Sequence, residues 1–152
     1  MRALAFGTYD RDYPRNAQVI SALRRAGVEV VEWNVPVWAR HNWSLGARGL
    51  ARLARAELTL ARRRPPEADV VLVGYPGHAD LRSARRATAG LPIVFNPLVS
   101  LVDTMVSDRG RFRAHGPSAR VLARVDRSAF RGADLVVADT AAHATFFGAR
   151  FG

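Results

Sequence analysis

Five short apolar runs punctuate the chain, at residues 3–6, 28–33, 68–74, 91–95 and 133–138, and every interval between them can hold a helix. That alternation constrains the fold more than any other feature. Repeated strand–helix units bury their apolar faces by building a parallel sheet wrapped on both sides by helices. The run Val70-Val71-Leu72-Val73 is apolar at every position rather than every second one, as expected of a strand covered on both faces. Helix signals fill the intervals. Pro14 suits a first helical turn, Ala17, Ile20, Leu23 and Ala26 recur at helical spacing, and Gly27 stops the pattern. The longest helical pattern covers 44–63 and ends at Pro65-Pro66. Asp80 is expected to cap a helix that runs to Ala89 and stops at Gly90, and Asp139 or Thr140 to cap a last short helix.

With 152 residues the chain suffices for one domain with a real core. The expected architecture is a single Rossmann-like, three-layer α/β/α domain on a mainly parallel five-stranded sheet. The strand order expected is 3-2-1-4-5, with right-handed crossovers.

Composition narrows the function. There is no cysteine, and the four histidines lack i, i+4 spacing, so no metal site is expected. No apolar stretch approaches the ~20 residues that span a bilayer, so a cytoplasmic location is expected. The formal net charge is +10, carried entirely by arginine. Such an excess attracts anions: phosphorylated ligands, an acidic membrane surface or nucleic acid. No nucleic-acid-binding motif accompanies it, so nucleic acid is the least expected partner, and a basic α/β ligand- or nucleic-acid-binding module without catalysis is the alternative reading. Neither a G-x-G-x-x-G after the first strand nor a G-x-x-x-x-G-K-[ST] is present, which disfavours dinucleotide and phosphate-loop chemistry.

In a doubly wound sheet, ligands bind beyond the carboxyl ends of the strands at the switch point, placed here between the first and fourth strands. The loop after the first strand supplies Gly7, Thr8, Tyr9, Tyr13, Arg15 and Asn16, and is expected to be mobile. The loop after the third supplies Tyr75 and His78, and the loop after the fourth Asn96, Ser100 and Asp103. Arg15 can clamp a phosphate or carboxylate through its planar fork, and Asp103 can orient or deprotonate a hydroxyl. For each residue the competing expectation is a helix or turn cap, and for His78 a solvated loop side chain. Trp33, Trp38 and Trp43 are expected to pack an irregular segment onto the core. On the helix over 44–63, Arg48, Arg52, Arg55 and Arg62 share one sector, with Leu45, Leu50, Leu53 and Leu60 opposite in a buried stripe. The arginine face is a candidate contact for anionic headgroups.

Three segments carry a resemblance. Phe6-Gly7-Thr8-Tyr9 and Tyr13-Pro14-Arg15-Asn16, with the helix end Leu23-Arg24-Arg25-Ala26-Gly27-Val28-Glu29-Val30, form the first. Ser100-Leu101-Val102-Asp103-Thr104 is the second. Arg131 to Thr140, followed by a helix ending at Phe151-Gly152, is the third. Together they resemble the N-terminal half of family-4-type glycosyltransferases of the GT-B fold. The resemblance implies an acceptor-binding domain whose sugar or lipid-linked acceptor lies against the loops after strands one and four. A nucleotide-sugar donor would bind a separate C-terminal domain that this chain lacks, so no cofactor is implied here, and the chain alone is expected to be inactive. Where many relatives carry a histidine after the fourth strand, this chain has Asn96.

Overall fold

A computed structural model describes residues 1–38 and 46–152. Trp43 and the first residues of the predicted long helix, Ser44 and Leu45, lie outside the described residues. In chain order the elements are β1 (Arg2–Gly7), α1 (Pro14–Arg25), β2 (Glu29–Asn34), α2 (Ala47–Arg62), β3 (Val70–Val73), α3 (Asp80–Ala87), β4 (Ile93–Phe95), a π-helical turn (Asp103–Asp108), α4 (Pro117–Gly132), β5 (Leu135–Val136) and α5 (Ala141–Phe151). All strand pairings are parallel, so the predicted α/β class holds.

The strand order is β2-β1-β3-β4-β5, not the 3-2-1-4-5 expected. This is the order of flavodoxin-like doubly wound sheets, and it moves the switch point to the seam between β1 and β3. Composition explains the correction. β3 is apolar throughout, with Val71 and Val73 fully buried, and a strand of that kind is stabilised only between two neighbours. β2 carries Glu29, Glu32 and Asn34 and none of its residues is fully covered, which suits an edge.

Side-chain alternation divides the core. Leu4, Phe6, Val71, Val73, Ile93 and Phe95 point to one face, where Leu60 of α2, Leu81 and Ala84 of α3, Ala129 and Phe130 of α4, and Phe147 and Phe151 of α5 cover them. Phe130 stacks on Phe151 with ring centroids 4.2 Å apart, joining α4 to α5. On the opposite face Ile20 of α1 packs with Ala5, Tyr9 and Val30. Leu135 and Val137 alternate with Val136, which packs on the other core, and remain 58% and 37% exposed.

Helix α2 departs from its expected stripe. Leu60 and Ala56 are buried and Leu53 is partly buried, but Leu50 is 55% exposed, as is Leu58 at 48%. Leu50 lies in the first turn of α2, whereas the buried Ala56 and Leu60 lie in its second half; Leu58 stands outside the expected stripe, turned about 200° round the helix from Leu60. Arg48, Arg52, Arg55 and Arg62 are exposed, as expected.

Candidate functional site at the carboxyl edge of the sheet

The loops after β1 and β3 flank the switch point, and the ends of β4 and β5 follow along the same edge. Asn96 and Asp139 continue the alternation of Val94 and of Leu135 and Val137, which places them on the α1 side. There they meet Arg15, the second residue of α1. Arg15 Nε and Nη2 donate to Asn96 Oδ1 at 3.2 and 2.9 Å, and Arg15 Nη2 forms an ion pair with Asp139 Oδ1. The Arg15 and Asp139 side chains are 23% and 24% exposed. One guanidinium thus ties the start of α1 to the ends of β4 and β5.

Asn16 closes the seam from beneath. Its amide donates to the carbonyls of Asp10 and Tyr75 at 2.9 and 2.7 Å and accepts from the Tyr75 N–H at 3.0 Å. Gly74 is required here, because a Cβ would lie 2.7 Å from Asn16 Oδ1. Tyr13 and Tyr75 meet with ring centroids 5.1 Å apart, one from each loop. Burial, reinforced by Tyr13, pushes the Tyr75 phenol above its ordinary range, with Arg109 close enough to oppose the shift. Two loops far apart in sequence therefore present an aromatic pair at the carboxyl edge.

Other predicted residues turn inward. Tyr9 is buried and its hydroxyl donates to Glu32 at 3.1 Å; burial first and Glu32 second raise its pKa. The loop expected to be mobile is fastened at both ends by buried Thr8, Tyr9 and Asn16, and its exposed tip is Arg11 and Asp12.

On the α3 side lie two buried polar clusters. Asp80 does not cap its helix. Ala79 holds the cap position, and the Asp80 carboxyl, fully buried, reaches the end of β1 instead, accepting from the Thr8 N–H and Oγ1 at 2.8 Å each. Thr8 Oγ1 also accepts from Trp38 Nε1 at 3.1 Å. Glu57 of α2 joins the cluster through Ser83 Oγ. Burial, then the neighbouring Glu57, holds the Asp80 carboxyl well above the carboxylate range. Gly7, at φ 139, is needed because a Cβ would collide with that carboxyl.

His78 is not solvated. Its side chain is 1% exposed, with Nε2 3.1 Å from the Val99 carbonyl and 3.6 Å from Asp126 Oδ1. Burial lowers its pKa against the opposing pull of Asp126, so the imidazole is neutral and donates from Nε2. Asp126 accepts from Ser100 Oγ and from the Leu101 and Val102 N–H groups at 2.7 to 3.0 Å. It therefore fixes the loop after β4, and Ser100, 2% exposed, faces it rather than the crevice. Sequence reading missed Asp126. Its only signal was a carboxylate among the apolar positions of a helix. Asp103 opens the π-helical turn with its N–H donating to Ser100 Oγ at 3.2 Å and is exposed.

Among the described residues no group of three or more potential ligands could hold a metal ion. No described helix is long and apolar enough to cross a membrane. No family model and no curated protein matches the chain.

Proposed function

We propose that this chain is the acceptor-binding half of a glycosyltransferase of the GT-B kind, with a sugar or lipid-linked acceptor held in the crevice beside the β1–β3 seam. The observation that carries the reading is that the loops after β1, β3 and β4 form two side-chain pairs at the carboxyl edge, Tyr13 with Tyr75 and Arg15 with Asn96. An aromatic pair offers an apolar platform for a sugar ring, and a guanidinium beside an amide gives directional partners for hydroxyl or anionic groups. The three sequence segments that resemble family-4-type glycosyltransferases supply the link to nucleotide-sugar chemistry, since a fold of this type serves many functions. Asp103, exposed at the start of the π-helical turn, is the carboxylate available to assist a hydroxyl. The donor would enter on a second domain, because catalysis needs both reactants held in one geometry. The arginine face of α2, with Leu58 uncovered next to it, would rest on an anionic membrane when the acceptor is a lipid.

Saturation-transfer NMR with a panel of glycosides and nucleotide-sugars tests the reading. A glycoside should bind, Tyr75→Ala should abolish the signal, nucleotide-sugars should bind weakly, and the chain alone should turn nothing over. Absence of any glycoside binding, or tight nucleotide-sugar binding insensitive to Tyr75→Ala, would overturn it.

A further inference from the structure

Neither Arg15 nor Asp139 serves the helix beside it, although their pair bridges α1 and the ends of β4 and β5. Asp139 precedes α5 but does not cap it: Thr140 holds the cap position, and its Oγ1 accepts from the His143 N–H at 3.1 Å. Arg15 sits in the first turn of α1, where a guanidinium gains nothing from the helix dipole. Its fork is held in place independently by Asn96 Oδ1, which accepts from both Nε and Nη2. The hydrogen bonds and ion pair of Arg15 come from those two nitrogens, leaving Nη1 unused among the described residues. Asn96 itself is 3% exposed, so its amide is a fixed anchor. The carboxylate, by contrast, lies three residues beyond the two-residue strand β5, with its side chain in partial contact with solvent.

We propose that Asp139 is a built-in occupant of a phosphate site on Arg15, a carboxylate of the chain itself standing where the phosphate of a ligand binds. Asn96 keeps the guanidinium aimed at the crevice whether or not Asp139 is present. A phosphate offers more acceptor oxygens and more charge than a carboxylate, and bidentate pairing with Arg favours it. On arrival it takes over Nη2 and Nη1, and Asp139 swings to solvent. Ligand binding is then weakened by the cost of releasing Asp139, and the two events are thermodynamically linked. Because Asp139 adjoins the cap of α5, occupancy of the crevice is reported to that helix.

The inference rests on the crevice being the ligand site, but not on sugar transfer. Binding of pyrophosphate through Arg15 without any glycoside binding would retire the glycosyltransferase reading and keep this one. Glycoside binding without pyrophosphate binding would do the reverse.

The experiment is titration with inorganic pyrophosphate, followed by calorimetry and amide NMR. Asp139→Asn should bind about tenfold tighter than the unaltered chain, a change typical of linked sites. Asp108→Asn removes an exposed carboxylate elsewhere and should change affinity less than about twofold, which separates displacement from the general field. Arg15→Gln, alone or with Asp139→Asn, should abolish binding. In the unaltered chain, saturation should shift the amides of Thr140 and His143, a readout that needs no variant. Sedimentation with phosphatidic acid vesicles reads the source of the phosphate. Arg15-dependent capture assigns a lipid headgroup, and binding of soluble pyrophosphate alone assigns a small phosphate ester. Affinity unchanged by Asp139→Asn, tightening that survives Arg15→Gln, or unmoved Thr140 and His143 amides at saturation would overturn the proposal.

Discussion

The two sides of the sheet end in polar clusters built from similar residue types and put to opposite use. On the α3 side Asp80, His78 and Asp126 are withdrawn from solvent, and each carboxylate is spent on backbone N–H groups of a neighbouring loop. On the α1 side Arg15 and Asp139 keep about a quarter of their side-chain surface in solvent and grip each other across strand ends. The difference follows from coverage. Four helices pack on the first face, whereas α1 is the helix whose buried residues pack on the second. A buried polar group without a partner costs about 1–3 kcal/mol, and on the covered face both oxygens of Asp80 and of Asp126 accept hydrogen bonds from the loops they fix, while Glu57 Oε1 and His78 Nδ1 are buried without a partner among the described residues. A pair that keeps solvent contact is worth less and can be exchanged for a ligand.

Substitutions can break that contrast. The largest effect is expected at Asp126. Asp126→Ala strands Ser100 Oγ and two N–H groups and should cost about 3 kcal/mol in urea unfolding; a loss below about 1 kcal/mol would mean that water replaces the carboxylate and that the cluster is not sealed. Gly7→Ala comes next, at about 2 kcal/mol or more, because the added methyl meets the Asp80 carboxyl and the backbone is left-handed.

Asp80 should reveal itself through pH. Its folded pKa lies above the ordinary 3.8, so the native state binds a proton that the unfolded chain releases. The stability it contributes is complete below the unfolded pKa and is lost as pH rises through the folded one. Asp80→Asn should flatten that decline in unfolding curves taken from acid to neutral pH; parallel curves for both proteins would show that the carboxyl ionises freely. On the open side, Arg15→Gln takes both donors from buried Asn96 Oδ1 and should cost about 1–2 kcal/mol while abolishing pyrophosphate binding, and a loss above about 3 kcal/mol would make the pair structural. Smallest in stability, within about 0.5 kcal/mol, is the combined replacement of Arg48, Arg52 and Arg55 by Gln. It should nonetheless remove salt-sensitive sedimentation with anionic vesicles, and binding that persists would assign the basic face to solvent.

The elements were legible where one local signal sufficed. Pro14, Gly27, Pro65 and the all-apolar β3 marked their boundaries because the reasons are steric or hydrophobic and act within a few residues. The strand order was also written in the composition, in the charges of β2 and the unbroken apolarity of β3, but the expectation followed a fold precedent instead. Asp80 and His78 could not be read. Each looks like a loop or cap residue until the fold brings a partner from far along the chain: Thr8 from 72 positions away, Val99 from 21. Loop position brought Tyr13, Arg15, Tyr75 and Asn96 to the carboxyl edge of the sheet, yet Thr8, Tyr9 and Ser100 turned inward because a small hydroxyl or phenol can serve a buried partner as readily as a ligand. Asp139 was taken for a cap, and its true partner lies on another element.

The central seam of the sheet sets an order on the chain's birth. β2 follows β1 after one helix, but β3 returns to β1 from far downstream, as the Arg2 N–H bonded to Asp69 across 67 positions records. During synthesis the apolar strand Ala3-Leu4-Ala5-Phe6 can pair on one edge early, while its other edge stays bare until residue 73 has left the ribosome. The nascent chain therefore carries an open sheet edge from the emergence of residue 34 until that of residue 73. That edge is the surface a chaperone, or a second nascent copy, would meet first.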